Sequence, residues 1–190
     1  MTTTNMHLAI VIGSTREGRF GSTVARWFVS QAEARPEFDL DVIDLADLEL
    51  PAVLRRTPDP IVVSHRERLE RADAFVIITP EYNHGYPASL KQAIDLALPE
   101  WQAKPVAFVS YGGIGGGLRA VEQLRQVFAE LHAVTIRDCV SFHNAWASFD
   151  ADGWLQEETG ADRAAKTMLD RLAWWTRALR AAREADPYAA

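Results

Sequence analysis

The sequence predicts an α/β protein built on one doubly wound parallel sheet of five strands. Three observations predict it. Five short apolar runs alternate with longer segments of helical periodicity. Three of those runs are almost unbroken in apolar residues, as strands covered on both faces are. The length of 190 residues suits one core, at ~100–200 residues per domain.

The first run, His7 to Ile12 (HLAIVI), reads as a buried strand. A helix follows, with Val24, Trp27 and Phe28 on one stripe and Gln31 at its polar edge. The second run, Phe38 to Leu45, sets Leu40, Val42, Ile43 and Leu45 among aspartates, and a short helix is expected from Val62 to Arg71. The third run is Ala74 to Thr79 (AFVIIT). Pro87 suits a first helical turn, where its missing N–H costs nothing, and Leu90, Ile94 and Ala97 follow on one face. The fourth run is Pro105 to Ser110 (PVAFVS). Leu118, Val121, Leu124, Val127, Phe128 and Leu131 then recur at steps of three and four. The fifth run is Val134 to Val140 (VTIRDCV). A last helix, from about Asp162 to Glu184, carries the stripe Met168, Leu172, Trp175 and Leu179. The stretch Ser141 to Gly160 fits no simple element. Within it Phe149 to Trp154 (FDADGW) reads as a hairpin turn. Asp150, Asp152 and Gly153 look like the start of a calcium loop, but the later ligands and the spaced Glu are missing.

Right-handed crossovers wrap such helices onto both faces of the sheet. Five strands fit the flavodoxin-like order 2-1-3-4-5 better than a six-stranded dinucleotide fold. No linker, repeat or low-complexity tract interrupts the chain, so residues 1–190 read as a single domain.

Composition excludes several classes. Net charge is −6 and the pI about 5.4, with no Lys/Arg block, which argues against a nucleic-acid binder. No stretch approaches the ~20 apolar residues that span a bilayer, so no membrane partner is expected. The opening MTTTNMHLAIVIG has no basic region and too short an apolar run for a secretion signal, and a cytoplasmic protein is the expectation. The single cysteine, Cys139, cannot form an internal disulfide and reads as a buried apolar residue. His7, His65, His84, His132 and His143 show no metal-ligand spacing, and no metal is expected. No Ser-His-Asp or Cys-His set appears, so no protein catalytic residue is assigned.

In sheets of this order, ligands sit at the carboxyl ends of the strands, where the order reverses between strands one and three. The loops after strands one, three and four are therefore the ones to read. The first is GSTREGRFGST, Gly13 to Thr23. It offers the hydroxyls of Ser14, Thr15, Ser22 and Thr23, the guanidiniums of Arg16 and Arg19, and a helix start, which together suit an anion. It lacks the Gly-Lys-Ser/Thr ending of a nucleoside-triphosphate loop. A solvated turn before a capped helix is the plainer alternative. The second loop, in the stretch TPEYNHGYPASLKQAIDLAL from Thr79 to Leu98, is stiff and aromatic and suits the wall of a flat ligand. A Pro-bounded turn with packed tyrosines is its plainer alternative. Taken singly, Glu81 reads as solvated and His84 as a surface histidine. The third, SYGGIGGGLRA from Ser110 to Ala120, holds five glycines in the six residues Gly112 to Gly117, so a flat ring can lie close to bare backbone. The alternative is a flexible connection.

Together these three stretches resemble the NADPH-dependent FMN reductase family, the flavodoxin-like group of small quinone, azo-dye and chromate reductases. GSTREGRFG is similar to its phosphate loop, Gly-Ser-x-Arg-x-Gly-x. PEYNHGYPASLKQAIDL is similar to its most diagnostic stretch, and SYGGIGGGLRAVEQLR to its third loop. The resemblance runs from about His7 to Val140. It implies FMN as cofactor and NADPH or NADH as co-substrate. Ser14, Arg16, Arg19, Phe20 and Gly21 would then hold the FMN phosphate. Pro80, Glu81, Tyr82 and Asn83 would run along the isoalloxazine ring. Ser110, Tyr111, Gly112 and Gly113 would close its other edge. The cofactor would carry the chemistry, consistent with the missing acid–base set. Electrons would pass from the nicotinamide to a quinone-like or other small acceptor by a ping-pong mechanism. An FMN-binding electron carrier, or a flavin-responsive regulator without NAD(P)H turnover, is the alternative, and a non-flavin interaction module on the same fold is a third reading.

Two departures stand out, since many members carry Ser and Asn where this chain has Arg19 and Gly21. Beyond Val140 the match is weak. Of six tryptophans, Trp101, Trp146, Trp154, Trp174 and Trp175 fall outside the clearest sheet core. Adjacent Trp174 and Trp175 cannot face one core from one helix. Either one of them meets a partner or another surface, or such side chains cover helix flanks. The resemblance implies a homodimer or homotetramer with FMN near the interface.

Overall fold

The computed structural model describes residues 5–156 and 160–188. Five parallel strands pair along the sheet: β1 (Met6–Ile12), β2 (Phe38–Asp44), β3 (Ala74–Pro80), β4 (Pro105–Tyr111) and β5 (Val134–Phe142). Their order is β2-β1-β3-β4-β5, as the sequence predicts. The helices are α1 (Gly21–Glu33), α2 (Pro60–Arg71), α3 (Ala88–Asp95), α4 (Leu118–Glu130) and α5 (Ala161–Ala185). Only the step from β1 to β2 runs toward one edge; the next three run toward the other. Crossovers of one hand must then place α1 on one face and α2, α3 and α4 on the opposite face.

The strands obey that geometry residue by residue. Leu8, Ile10 and Ile12 of β1 join a cluster with Val24 and Phe28 of α1 and Met168 and Leu172 of α5. Ala9 and Val11, pointing the other way, join Leu69 of α2, Leu90 and Ile94 of α3, and Leu124 and Phe128 of α4. Every residue of β3 and β4 is buried, whereas the edge strands β2 and β5 are partly exposed. Most of the periodic stripes hold. On α5 the buried face is Ala165, Met168, Leu169, Leu172, Ala173 and Thr176, so Trp175 lies at its margin instead of within it. The FDADGW turn forms, with Asp150 Oδ1 accepting from the N–H groups of Asp152 at 3.0 Å and Trp154 at 2.8 Å.

Two expectations are corrected. Trp101 is core, 1% exposed, and wedged against Phe75 and Phe128 with ring centroids 4.5 and 5.2 Å away. Its indole N–H donates to the Ile94 carbonyl at 3.2 Å, which satisfies the one polar atom that burial would otherwise strand. Cys139 is only half-buried, because β5 is an edge strand whose pairing with β4 shifts register between Val106 and Phe108. Trp174 and Trp175 are both substantially exposed and pack edge-to-face on each other, 5.2 Å between centroids.

At the rim where β4 begins, Lys104 is buried and donates to the Leu69 and Glu70 carbonyls, 3.1 and 2.9 Å away at the end of α2. Burial pushes its ammonium from an ordinary 10.5 down to about 8. Between those values the unfolded chain holds more protons than the folded one, so stability rises with pH across that window. The gap is worth about 3 kcal/mol at ~1.36 kcal/mol per pH unit. Urea midpoints are expected to rise from pH 8 to 10 in the native chain and to stay flat in Lys104→Met. The same rise in both chains would remove Lys104 as its source.

Candidate functional site

The register brings three chain ends level. Ile12 lies opposite Ile78, and Pro80 opposite Tyr111, so the loops leaving β1, β3 and β4 emerge at one rim. They enclose a cleft of about 380 Å³ lined by Arg16 to Phe20, Pro80 to Tyr82, Tyr111 to Gly113, and Ala145 with Trp146.

The loop after β1 contains two arginines with different fates. The Arg19 guanidinium forms a two-pronged ion pair with Asp44 at the end of β2, both side chains less than one-fifth exposed. It also donates to the Ser14 carbonyl. The hydrogen bond to Asp44 is the main cause that holds Arg19 above its ordinary pKa. Arg19 thus ties the loop to the neighbouring strand. Arg16 is exposed on the cleft wall and makes no side-chain hydrogen bond or ion pair among the described residues. α1 starts at Gly21 with Phe20 as N-cap and no side chain capping it. Ser14 is fully buried, its hydroxyl 2.9 Å from that of Tyr82.

After β3 the chain turns at once. Tyr82 and Gly85 exchange backbone hydrogen bonds of 2.9 and 3.0 Å across Asn83 and His84, whose φ angles are +50° and +70°. Two successive positive φ values define a type I′ turn, and Asn is among the residues that tolerate them best. Asn83 therefore caps an exposed turn and does not line the cleft, while Pro80, Glu81 and Tyr82 do. Glu81 is not solvated as its residue type suggests. Its carboxylate accepts from the Arg119 guanidinium at 2.6 Å and the Arg119 backbone N–H at 3.2 Å, pinning this loop to the start of α4.

After β4, Ser110 is fully buried beneath the glycine loop and donates to the Gly116 carbonyl at 2.8 Å. Its side chain shapes the loop and does not reach the cleft. Gly117 sits at φ +85°, and a Cβ there would lie 2.6 Å from Ser110 Cβ and 2.8 Å from the Tyr111 nitrogen. Gly112 and Gly113 present bare backbone to the cleft, and a Cβ on Gly113 would meet only Trp146, at 3.7 Å. Tyr111 is buried, and burial pushes its phenol well above the ordinary value, so it stays protonated.

Sequence reasoning missed Asp44, Arg119, Trp146 and His143. The turn Ala145–Ala147 is held against the glycine loop by Asn144 N–H to Gly113 O at 2.9 Å and Ala145 N–H to Gly112 O at 3.1 Å. His143 Nδ1 donates to the Ile114 carbonyl at 2.9 Å. Among the described residues no three His, Cys, Asp or Glu side chains converge to hold a metal, and no helix is long and apolar enough to cross a membrane.

A family model described as NADPH-dependent FMN reductase matches residues 6–147, which contain all three loops and the Ala145–Ala147 turn. The chain belongs to that family. This FMN reductase family member is 30% identical over 182 residues to an NADPH:quinone oxidoreductase of Arabidopsis thaliana, with 90% of this chain and 93% of that one covered. It is 30% identical over 185 residues to a quinone reductase of Pseudomonas putida, covering 92% and 96%. An NAD(P)H-dependent FMN reductase of Schizosaccharomyces pombe is 36% identical over 129 residues, a match spanning 63% of this chain and 64% of that relative. Among solved structures, the flavoenzyme NAD(P)H:(acceptor) oxidoreductase FerB of Paracoccus denitrificans superposes with a TM-score of 0.73 at 25% identity, covering 90% and 97%.

The glycine loop of this family member depends on Gly117. A left-handed φ disfavours any Cβ, and the backbone at Tyr111 cannot yield to one. Gly117→Ala is expected to destabilise the fold by about 2 kcal/mol or more in chemical denaturation. Unchanged stability would show that this turn is not held as described.

Proposed function

We propose that this chain is an FMN-dependent NAD(P)H oxidoreductase that passes electrons from a nicotinamide to a quinone-like acceptor. One observation carries the reading: an unpaired arginine, an uncapped helix start and side-chain-free backbone border the same cleft. Those features fit the two ends of FMN. Arg16 and the first N–H groups of α1 would hold the phosphate dianion, which a helix N-terminus favours by its dipole. Arg19 would serve as a brace, since Asp44 already balances its charge. Pro80 and Tyr82 would flank the ring system, and the backbone of Gly112 and Gly113 would lie along it. Trp146 would bound the opposite side.

When bound, FMN would supply the hydride-transfer chemistry between nicotinamide and acceptor. The chain's own part is to bind, orient and shield. Glu81 is paired with Arg119 and Asp44 with Arg19, so both carboxylates brace the loops around the cleft. The pair Glu81–Arg119 fixes the ring-side loop relative to α4. A ping-pong order would have nicotinamide and acceptor use this cleft in turn. The names of relatives aligned along nine-tenths of the chain support a quinone as acceptor. Exposed Ile114 and Trp146 beside the cleft support a homodimer or homotetramer that covers this rim. The single free cysteine suits a reducing, cytoplasmic setting. Residues 1–190 act in this reading as one FMN-binding domain.

Arg16→Ala should weaken FMN by about 1.5–3 kcal/mol, the worth of a charge-assisted hydrogen bond, in a flavin-fluorescence titration. Unchanged affinity would remove Arg16 from the phosphate site. Initial rates at varied NADPH and benzoquinone should give parallel double-reciprocal lines; converging lines would overturn the ping-pong order.

A further inference from the structure

We infer that the hydroxyl of Tyr111 is a ligand of the FMN phosphate, and that Gly21 is small in order to admit it. The inference rests on the FMN reading above and changes one residue's place within it. Family resemblance sets Tyr111 at an edge of the ring. The structure separates its backbone from its side chain. The Tyr111 carbonyl accepts from the Glu81 N–H at 3.1 Å and so belongs to the ring-side loops. The side chain crosses the rim in the other direction, its ring centroid 6.4 Å from that of Phe20. It ends at the start of α1, where a Cβ on Gly21 would lie 2.6 Å from the phenolic oxygen. No unstrained side chain at position 21 can coexist with the phenol in that place.

The surroundings define what this hydroxyl can do. Its oxygen accepts a hydrogen bond from the hydroxyl of fully buried Ser14, which also meets the hydroxyl of Tyr82 at 2.9 Å, so the phenol's own O–H is left to donate. Three hydroxyls therefore gather at the first turn of a helix that no side chain caps. The charged groups nearby are Arg19 and Asp44, which neutralise each other in a two-pronged pair. A buried phenol in such a place stays protonated and offers one O–H. A phosphomonoester presents several acceptor oxygens to that corner, whereas riboflavin presents only a hydroxyl. Tyr111 is thus a residue that selects FMN over its unphosphorylated form, and Gly21 is its enabling partner.

Dissociation constants for FMN and for riboflavin, read by quenching of flavin fluorescence, test this on the full chain. Tyr111→Phe keeps the ring and removes one oxygen. It is expected to loosen FMN about tenfold or more, the loss of one hydrogen bond to a charged group, and to leave riboflavin unchanged. Equal weakening of both flavins, or of neither, would overturn the inference. Gly21→Ala should weaken FMN in the native chain by displacing the phenol, and much less in a Tyr111→Phe background. An equal cost in both backgrounds would overturn the role of Gly21. Should Tyr111→Phe melt early, Gly21→Ala in the native chain still reads the same contact, and unchanged FMN affinity there counts against it. A native chain that binds neither flavin would overturn the FMN reading and this inference together. A native chain that binds FMN, with both variants unaffected, would overturn this inference alone.

Discussion

The parallel register of the three central strands is the constraint on which the site depends. Ile12 opposite Ile78 and Pro80 opposite Tyr111 leave three loops no choice but to meet. The first residue of one loop is already tied to the next strand, Gly13 N–H donating to the Ile78 carbonyl at 2.9 Å. Slip one strand by a residue and its inward and outward side chains exchange faces. Both cores, one built on α1 and α5 and the other on α2, α3 and α4, would lose their fit at once. The rim geometry is therefore guarded by apolar packing well below it, and ion pairs and tight turns then pin the loops themselves.

Charge in the cleft is organised by what is already neutralised. Two guanidiniums leave the same loop three residues apart. One is spent on Asp44, a residue from the far side of β1, and that expenditure anchors the loop backbone through Ser14. The other faces the cleft unpaired. Glu81 follows the same logic, its charge balanced by Arg119. In a protein of net charge −6 the cleft wall carries Arg16 beside the exposed carboxylate of Glu17, while Asp44 and Glu81 are answered by arginines of their own.

Much of this was legible in the sequence, and the reasons differ by element. β3 and β4 are buried on both faces, so their unbroken apolar runs left little to argue about. The helices announced themselves by stripes, except that α5 buries Ala165, Ala173 and Thr176, small residues that carry weak hydrophobic signal. The three loops were identifiable as a set because their residue types are unusual. Their internal wiring was not. Asp44 lies 25 residues from Arg19, and Arg119 lies 38 from Glu81, distances that only the sheet order can bridge. The burial of Trp101 is not legible in the sequence, because its short helical turn has no period and Phe75 and Phe128 on other elements enclose it. Asn83 belongs to the diagnostic motif, and at a type I′ turn it is exposed and absent from the cleft wall.

The indole of Trp146 stands at the mouth of the cleft, 63% exposed, beside the bare backbone of Gly113. An aromatic ring arriving there would drain the excited state of that indole before it could emit. The chain thereby carries an optical gauge of its own occupancy, readable without any attached dye. Trp154 and Trp174 are exposed as well, but neither belongs to the cleft wall.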